Sequence, residues 1–456
     1  MSAHRISRRA EIVLVAVLAG AATLSVWGSH ANSPSLAIGL AQDVHAESTA
    51  LYCTGFGGSR TDLPASVRFF NTTSDPRHVD VQEATGHGDF LVDSFTVAPF
   101  GRYDMTPSVF PGHSYYGLSA LVSGGGVTAA VRASAEPALE VPCVSSGASR
   151  WSFTGLSTRV GVTAELTLLN PTATPTVVNL TAITSSGFSA PQSFQGIVVK
   201  AHGLVALDLG SQIVNSSLVY VSVHAVRGVI VPAVALSWKG ASSGATVVAG
   251  SSLANTSWSF ADVPTSNPVT STVCFANPGN FVAHVTLRVL LSGYSITPFR
   301  FDVGPRSLRE LTVSPSSRVP AAEPAQVSIE SSAPITASLL TSLAGSKVPW
   351  MSAAGVAGTH QIIDDTNGLG LSNLSIMNPG SYAASVTISL LDAVPARSLT
   401  VTVSAHGSVS LSRRIKQLLS TSQFIDVVSD RPVLVGANPT QLGPAVAVVQ
   451  NASGSR

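Results

Sequence analysis

On both sides of Asn71 the apolar residues fall at alternate positions: Val67 and Phe69 before it, Val79 and Val81 after it. The arrangement returns around Asn170, Asn277 and Asn378, so the anchors lie 99, 107 and 101 residues apart. Two residues before each anchor stand Phe69, Leu168, Phe275 and Ile376; four before stand Val67, Leu166, Val273 and Leu374. Eight after come Val79, Val178, Val285 and Val386, and ten after come Val81, Leu180, Leu287 and Ile388. Sixteen apolar residues at sixteen chosen positions would arise by chance about once in 10⁵ trials at a background near one half. The chain is a fourfold repeat. A period of two within each copy predicts strands with one buried face. VTLRVL from Val285 and VTISLL from Val386 alternate in their first four residues, and Asp80 and Gln82 take outward positions in copy one.

Turn chemistry punctuates these strands. Pro171, Pro278 and Pro379 follow their asparagines; proline lacks the N–H a ladder needs, and asparagine before it closes an Asx turn. A second turn is expected at Gly86, Gly187, Gly293 and Asp392, and a third at Gly101, Gly203, Gly304 and Gly407, where glycine permits positive φ. A strand follows, then a short helical turn, clearest in SRRIKQLL from Ser412 to Leu419. Each copy closes with a pair of strands, as in FIDVVSDRPVLVGA (Phe424 to Ala437) and QVSIESSAPITASL (Gln326 to Leu339). About seven short strands per hundred residues predict an all-β chain of four tandem immunoglobulin-like β-sandwiches. The expected divisions are 1–48 for a signal peptide or anchor with its linker, then repeats at 49–147, 148–254, 255–355 and 356–456. Trp151-Ser152-Phe153 and Trp258-Ser259-Phe260 open copies two and three nineteen residues before the anchor, where a core or interdomain anchor is expected. Tyr52 and Thr359 fall at that place in copies one and four.

Composition adds location. Charged residues make up 11% of the 456 residues and the net charge is +1, which gives no reason to expect nucleic acid as a partner. Arg5, Arg8 and Arg9 precede an uncharged run from Ile12 to Gly28, a targeting segment whose charge places the N-terminus inside and the rest outside. Ser29-His30-Ala31 and Val44-His45-Ala46 loosely fit a cleavage site; a cleaved signal and a retained transmembrane helix both stay open, the retained anchor slightly favoured. The expected location is the extracytoplasmic face of the cell membrane or the secreted fraction. Three cysteines agree with an oxidising compartment. Cys53 and Cys143 bracket the first copy and are expected to form a disulfide; Cys274, at an outward strand position, is left exposed or packed on a neighbouring domain.

The phrase Trp-Ser-Phe, the strands ending in Asn-Pro, and Ser429-Asp430-Arg431-Pro432-Val433 resemble the roughly 100-residue repeats of an uncharacterised family of bacterial, especially actinobacterial, exported surface proteins. Copy one departs from the pattern at all three places and copy four lacks the tryptophan. The resemblance implies an exported envelope protein of β-sandwich repeats and carries over no catalytic residue.

Motifs for chemistry are sparse. Gly240-Ala241-Ser242-Ser243-Gly244 matches a nucleophile elbow, but ATVVAGSS after it is no helix. Asp364-Asp365-Thr366-Asn367-Gly368 lacks the later bidentate acid of a calcium loop. His87 near Glu83 has no partner at metal-ligand spacing, His202 and His406 read as solvated turn residues, and Arg413, Arg414 and Lys416 as a solvated basic face. No enzyme, cofactor or metal is expected. The reading is a structural or interaction scaffold of the cell envelope, partnered by an envelope protein or polysaccharide and by the cytoplasmic membrane through the N-terminal helix. The alternative is a carbohydrate-binding module for a cell-wall polysaccharide, with Tyr115, Tyr116, Tyr294 and Tyr382 as ligand-facing aromatics. A hydrolase in divergent copy one is a third reading.

Overall fold

Every one of the sixteen apolar positions that frame the four asparagines is buried, none more than 2% exposed. The sheets close around them. The structure is a computed structural model that describes residues 40–41, 48–57, 65–85, 90–106, 115–133, 140–238, 244–252, 254–265, 269–291, 294–314, 317–320, 325–343, 349–353, 357–364, 373–390, 398–411, 424–438 and 447–450. The N-terminal targeting segment, the turns at Gly86, Gly293 and Asp392, His87, residues 365–368 and the helical turn from Ser412 with its basic residues lie outside these. Among the described residues the chain is all-β, and no helix is long and apolar enough to cross a membrane. A 3-10 turn at Leu209–Ser211 in repeat two follows the fifth strand, at the place where a helical turn is expected.

Repeat two shows the topology in full. Its strands are Arg150–Leu156, Val162–Leu169, Thr176–Thr184, a split fourth (Gly187–Ser189 and Ile197–Val199), Leu204–Asp208, Val219–Arg227, Val231–Trp238 and Gly244–Ala249. One sheet runs first–sixth–third–fourth and the other fifth–second–seventh–eighth. Repeat one repeats this order with Ser48–Gly57 as its first strand and Glu140–Pro142 as its last. The immunoglobulin arrangement keeps the first strand with the second and the last with the sixth. Here the first strand lies beside the sixth and the seventh beside the second, so the expected immunoglobulin order is not the one adopted.

The closing strand pair also needs correction. In repeats three and four it is one continuous strand, Ala325–Leu343 and Phe424–Asn438, whose first half pairs in one sheet and second half in the other. Pro334 and Pro432 stand at the crossing, where a missing N–H costs no ladder bond because the strand is changing partners. Repeats one and two turn the same corner on glycines with positive φ, Gly124 to Gly126 and Gly228.

Each asparagine is the knot of its repeat and is fully buried, at 0% exposure. In repeat two Asn170 Nδ2 donates to the carbonyls of Thr174 (2.8 Å), Val199 (3.2 Å) and Lys200 (3.0 Å), while Oδ1 accepts the Thr172 N–H at 2.9 Å. Asn71, Asn277 and Asn378 make the corresponding bonds to Asp75 and Val97, Phe281 and Val303, and Tyr382 and Val403. One amide thus satisfies the end of the second strand, the following turn and the end of the fourth strand. The third turn docks on the same knot: the N–H groups of Phe100, His202, Arg306 and His406 donate to Thr73, Thr172, Gly279 and Gly380. These four residues, not the glycines, carry positive φ, between 47° and 51°. Arg306 is followed by Ser307, so Gly304 is not the counterpart of Gly101, Gly203 and Gly407. Those three glycines sit at a close approach instead: a Cβ on Gly101 would stand 2.9 Å from the Ala98 carbonyl oxygen, a place that repeat three fills with Ser307.

The tryptophans are core residues with a polar duty. Trp151 is 2% exposed; its indole N–H is shared between the carbonyls of Ala148 (3.2 Å) and Ile230 (2.8 Å). Trp258 donates likewise to Asn255 and Ile335. Register shows Gln361 in that place in repeat four, facing Val427 as Trp151 faces Val223, and its amide donates to Gly358 and Val433. In repeat one Leu51 takes the place, facing Ala120, and Tyr52 corresponds to Ser152. The expected equivalents, Tyr52 and Thr359, are displaced because the loops before the anchors differ in length. The same register sets Cys53 against Phe153 and Cys143 against Gly250. Repeat two therefore packs Phe153 on Gly250, where repeat one has a disulfide between Cys53 and Cys143.

Successive repeats meet through one recurring seam. The first sheet of one repeat, at the bulge in its first strand, packs on the outer face of the next repeat's second sheet. Thr54 Oγ1 donates to Thr167 Oγ1 at 3.0 Å, and Ala233, Ala235, Ala245 and Val247 of repeat two join the apolar cluster of repeat one. One repeat on, Thr154 Oγ1 lies 2.6 Å from Thr336 Oγ1, and Ser338 Oγ donates to the Thr154 carbonyl at 2.7 Å. Ile183 and Tyr220 cluster there with Ala276 and Leu308. Cys274, in register with Ser338, is 0% exposed in this seam, and burial pushes its thiol pKa up. The two-residue strand Leu40–Ala41 runs parallel to Ala447–Gln450 at the edge of repeat four.

Candidate binding surface

The turn after each second strand projects one residue outward while its backbone is fixed. That residue, four positions beyond the anchor, is Asp75, Thr174, Phe281 or Tyr382, and in each case the anchor's amide holds its carbonyl at 2.7 to 2.8 Å. In repeats three and four it is aromatic and bare: Phe281 is 81% exposed and Tyr382 67%. The turn in repeat four is tied twice more, by Gly380 N–H to Asn378 Oδ1 at 2.9 Å and by His406 N–H to the Gly380 carbonyl at 3.0 Å. A ring in this place is presented on a frame already ordered, which lowers the entropic cost of engaging it.

Beside Tyr382 lies the sheet-crossing corner of repeat four. Arg431 places its guanidinium 5.0 Å from the Tyr382 ring centroid, a cation–π contact between two exposed side chains. Asp430, also exposed, accepts the Ser385 N–H through Oδ1 at 2.7 Å, which orients its carboxylate. In repeat three the His284 N–H is capped by Ser332 Oγ instead, and Ala333 stands where Arg431 does. The charged pair beside the ring therefore belongs to repeat four.

Of the four tyrosines expected to face a ligand, Tyr382 is exposed. Tyr116 is 1% exposed inside the core of repeat one, a correction: its strand alternation points it inward. Tyr115 is half-buried and packs against the cores of both repeats one and two, in their seam. Tyr294 opens the short strand Tyr294–Ser295 of the hairpin with Leu290 and Leu291. Sequence reading missed Phe281, although it stands four residues after Asn277 as Tyr382 does after Asn378; comparing the turns frame by frame would have found it.

No catalytic array stands out among the described residues. Asp426 Oδ1 lies 2.6 Å from His360 Nε2 and its Oδ2 accepts from Ser389 Oγ at 3.5 Å, so the carboxylate, where a triad has the imidazole, sits between serine and histidine. Gly244, the last residue of the elbow-like motif, begins a strand rather than a helix. Glu165 faces Asp208 across adjacent strands on the outer face of repeat two; burial and then the neighbouring Asp208 charge raise its pKa to about 7. His202 is half-buried in its turn, and burial lowers its pKa. No group of three or more metal-ligating side chains occurs among the described residues.

The family described as "Family of unknown function (DUF5719)" matches residues 119–414, from the sixth strand of repeat one into repeat four. The chain belongs to that family. No curated protein matches this DUF5719 chain. Among solved structures it is similar to the Anabaena sensory rhodopsin transducer (23% identity, 19% of this chain and 87% of that one, TM-score 0.17). A Thermotoga maritima protein described as "1070" matches at 17% identity over 22% of this chain and 90% of its own, TM-score 0.20. A tetra-tandem repeat from the extending region of a large adhesion protein matches at 15% identity over 89% of this chain and 95% of its own, TM-score 0.13.

Proposed function

We propose that this DUF5719 chain is a non-enzymatic, exported scaffold of the cell envelope, held to the cytoplasmic membrane by its N-terminal apolar segment. The observation that carries the reading is the recurring seam: Thr54 with Thr167, then Thr154 with Thr336 and Ser338, bury the same faces in turn. Seams of this kind turn separate sandwiches into a continuous array, in which neighbouring repeats support one another. The disulfide between Cys53 and Cys143 accords with an oxidising compartment. Protease treatment of intact cells tests the location: the chain is expected to be digested from outside without lysis, and protection until lysis would overturn the reading.

A second reading, recognition of a cell-wall polysaccharide, is favoured by Tyr382, an exposed ring with Arg431 and Asp430 beside it.

A further inference from the structure

We infer that Tyr382, Arg431 and Asp430 form a subsite for an acidic saccharide, a pyranose carrying a carboxylate; this rests on the second reading above and names its site and ligand class. A pyranose has an apolar face of ring C–H groups and a rim of hydroxyls. An exposed aromatic ring matches the first, and oriented polar groups at its border match the second. Tyr382 supplies the ring, carried on a backbone that Asn378 and the His406 turn hold in place. Asp430, exposed and with Oδ1 engaged by the Ser385 N–H at 2.7 Å, keeps acceptor capacity for a sugar's hydroxyl donors. The guanidinium of Arg431 decides the ligand's charge: it stacks 5.0 Å from the ring centroid, exposed, with donors in the fork geometry that suits a carboxylate.

Repeat three makes the contrast. Phe281 stands at the same turn position, 81% exposed, without a phenol and with Ser332 and Ala333 in place of the charged pair. It can stack on a sugar face but cannot select an acidic one. A protein partner fits the pair of turns less well, because the two rings belong to separate repeats and Tyr382 is bordered by charge rather than by a continuous apolar centre.

The test is titration of the full-length protein, in detergent, with two probes, a uronic-acid tetrasaccharide and neutral maltotetraose, alongside cosedimentation with cell-wall polysaccharide. The acidic probe is expected to bind about tenfold more tightly than the neutral one. Tyr382→Ala is expected to weaken both by about tenfold, Arg431→Gln to abolish the preference while leaving neutral binding, and Phe281→Ala to leave the preference intact. All three side chains are exposed, so unchanged melting shows that the variants fold. Equal affinity for the two probes, or wall binding untouched by Tyr382→Ala and Arg431→Gln, overturns the subsite while leaving polysaccharide recognition standing. No binding to any polysaccharide overturns both. Displacement of the acidic probe by poly-glutamate at equal concentration overturns the saccharide assignment in favour of an acidic peptide.

Discussion

Trp151 and Gln361 occupy the same position in repeats two and four and donate to corresponding carbonyls, Ala148 and Ile230 in one case, Gly358 and Val433 in the other. An indole and a carboxamide share little in shape, yet each closes the start of the first strand onto the sheet-crossing corner. Gln361→Leu keeps the volume and removes the donor, leaving two buried carbonyls to find other partners. Its expected cost is about 2 kcal/mol, read as a lower midpoint for repeat four in urea unfolding followed by hydrogen exchange.

Asn170→Asp is nearly isosteric but replaces the Nδ2 donor by an acceptor facing the carbonyls of Thr174, Val199 and Lys200. A loss of at least 3 kcal/mol is expected, larger than for a single hydrogen bond, because a buried charge would face three oxygens. Hydrogen exchange at the second strand of repeat two, Val162–Leu169, provides the measurement; protection equal to wild type would refute the knot.

These two positions show how much the sequence revealed. The fourfold period, the strand alternation and the anchors were legible because apolar positions recur at fixed offsets from each asparagine. The sheet order was not legible, since strand alternation reports which face is buried and says nothing about which strand lies beside which. The equivalence of Trp151 with Gln361 was hidden by a change in loop length and by chemistry: the shared property is an N–H donor, which hydropathy does not register. Tyr382 was found as a candidate ligand-facing aromatic, whereas its partnership with Arg431 depends on a corner inside what the sequence read as a pair of strands.

Cys274 reports on the seam between repeats two and three. Buried there with a raised thiol pKa, it is expected to resist alkylation in the native protein and to react once the repeats separate. The Cys53–Cys143 disulfide supplies no free thiol. Alkylation with mass detection across a urea series measures this, and immediate native reaction would show the seam open in solution.

Gly55 pairs a positive φ of 86° with a seam contact: a Cβ there would stand 2.7 Å from Ala233 Cβ. Gly55→Ala is expected to cost roughly 2–3 kcal/mol from backbone strain and overpacking together. It should also speed Cys53–Cys143-independent opening between repeats one and two, visible as new protease cleavage near Gly147.

Glu165 makes stability fall as pH rises. Its pKa goes from the ordinary 4.5 to about 7 in the folded protein, so between those values the folded state binds more protons than the unfolded one, and unfolding free energy decreases with pH. The stabilisation is complete below pH 4.5 and lost by about pH 7. Glu165→Gln is expected to remove this slope and to stabilise the protein at pH 8 by about 1 kcal/mol, a value reduced for solvent screening of a half-buried group. Melting temperatures of the two proteins from pH 4 to pH 8 check the sign.

The corner at which the chain passes between sheets sets a timetable for synthesis. Trp151 pairs with Val223, and Leu166 with Val234, so the earliest strands of a repeat wait for partners made near its end. In one sheet the place between the first and third strands stays empty until the sixth is made, and in the other the second strand lacks one of its neighbours until the seventh is made. Closure of a repeat is therefore expected only once its last third has been made.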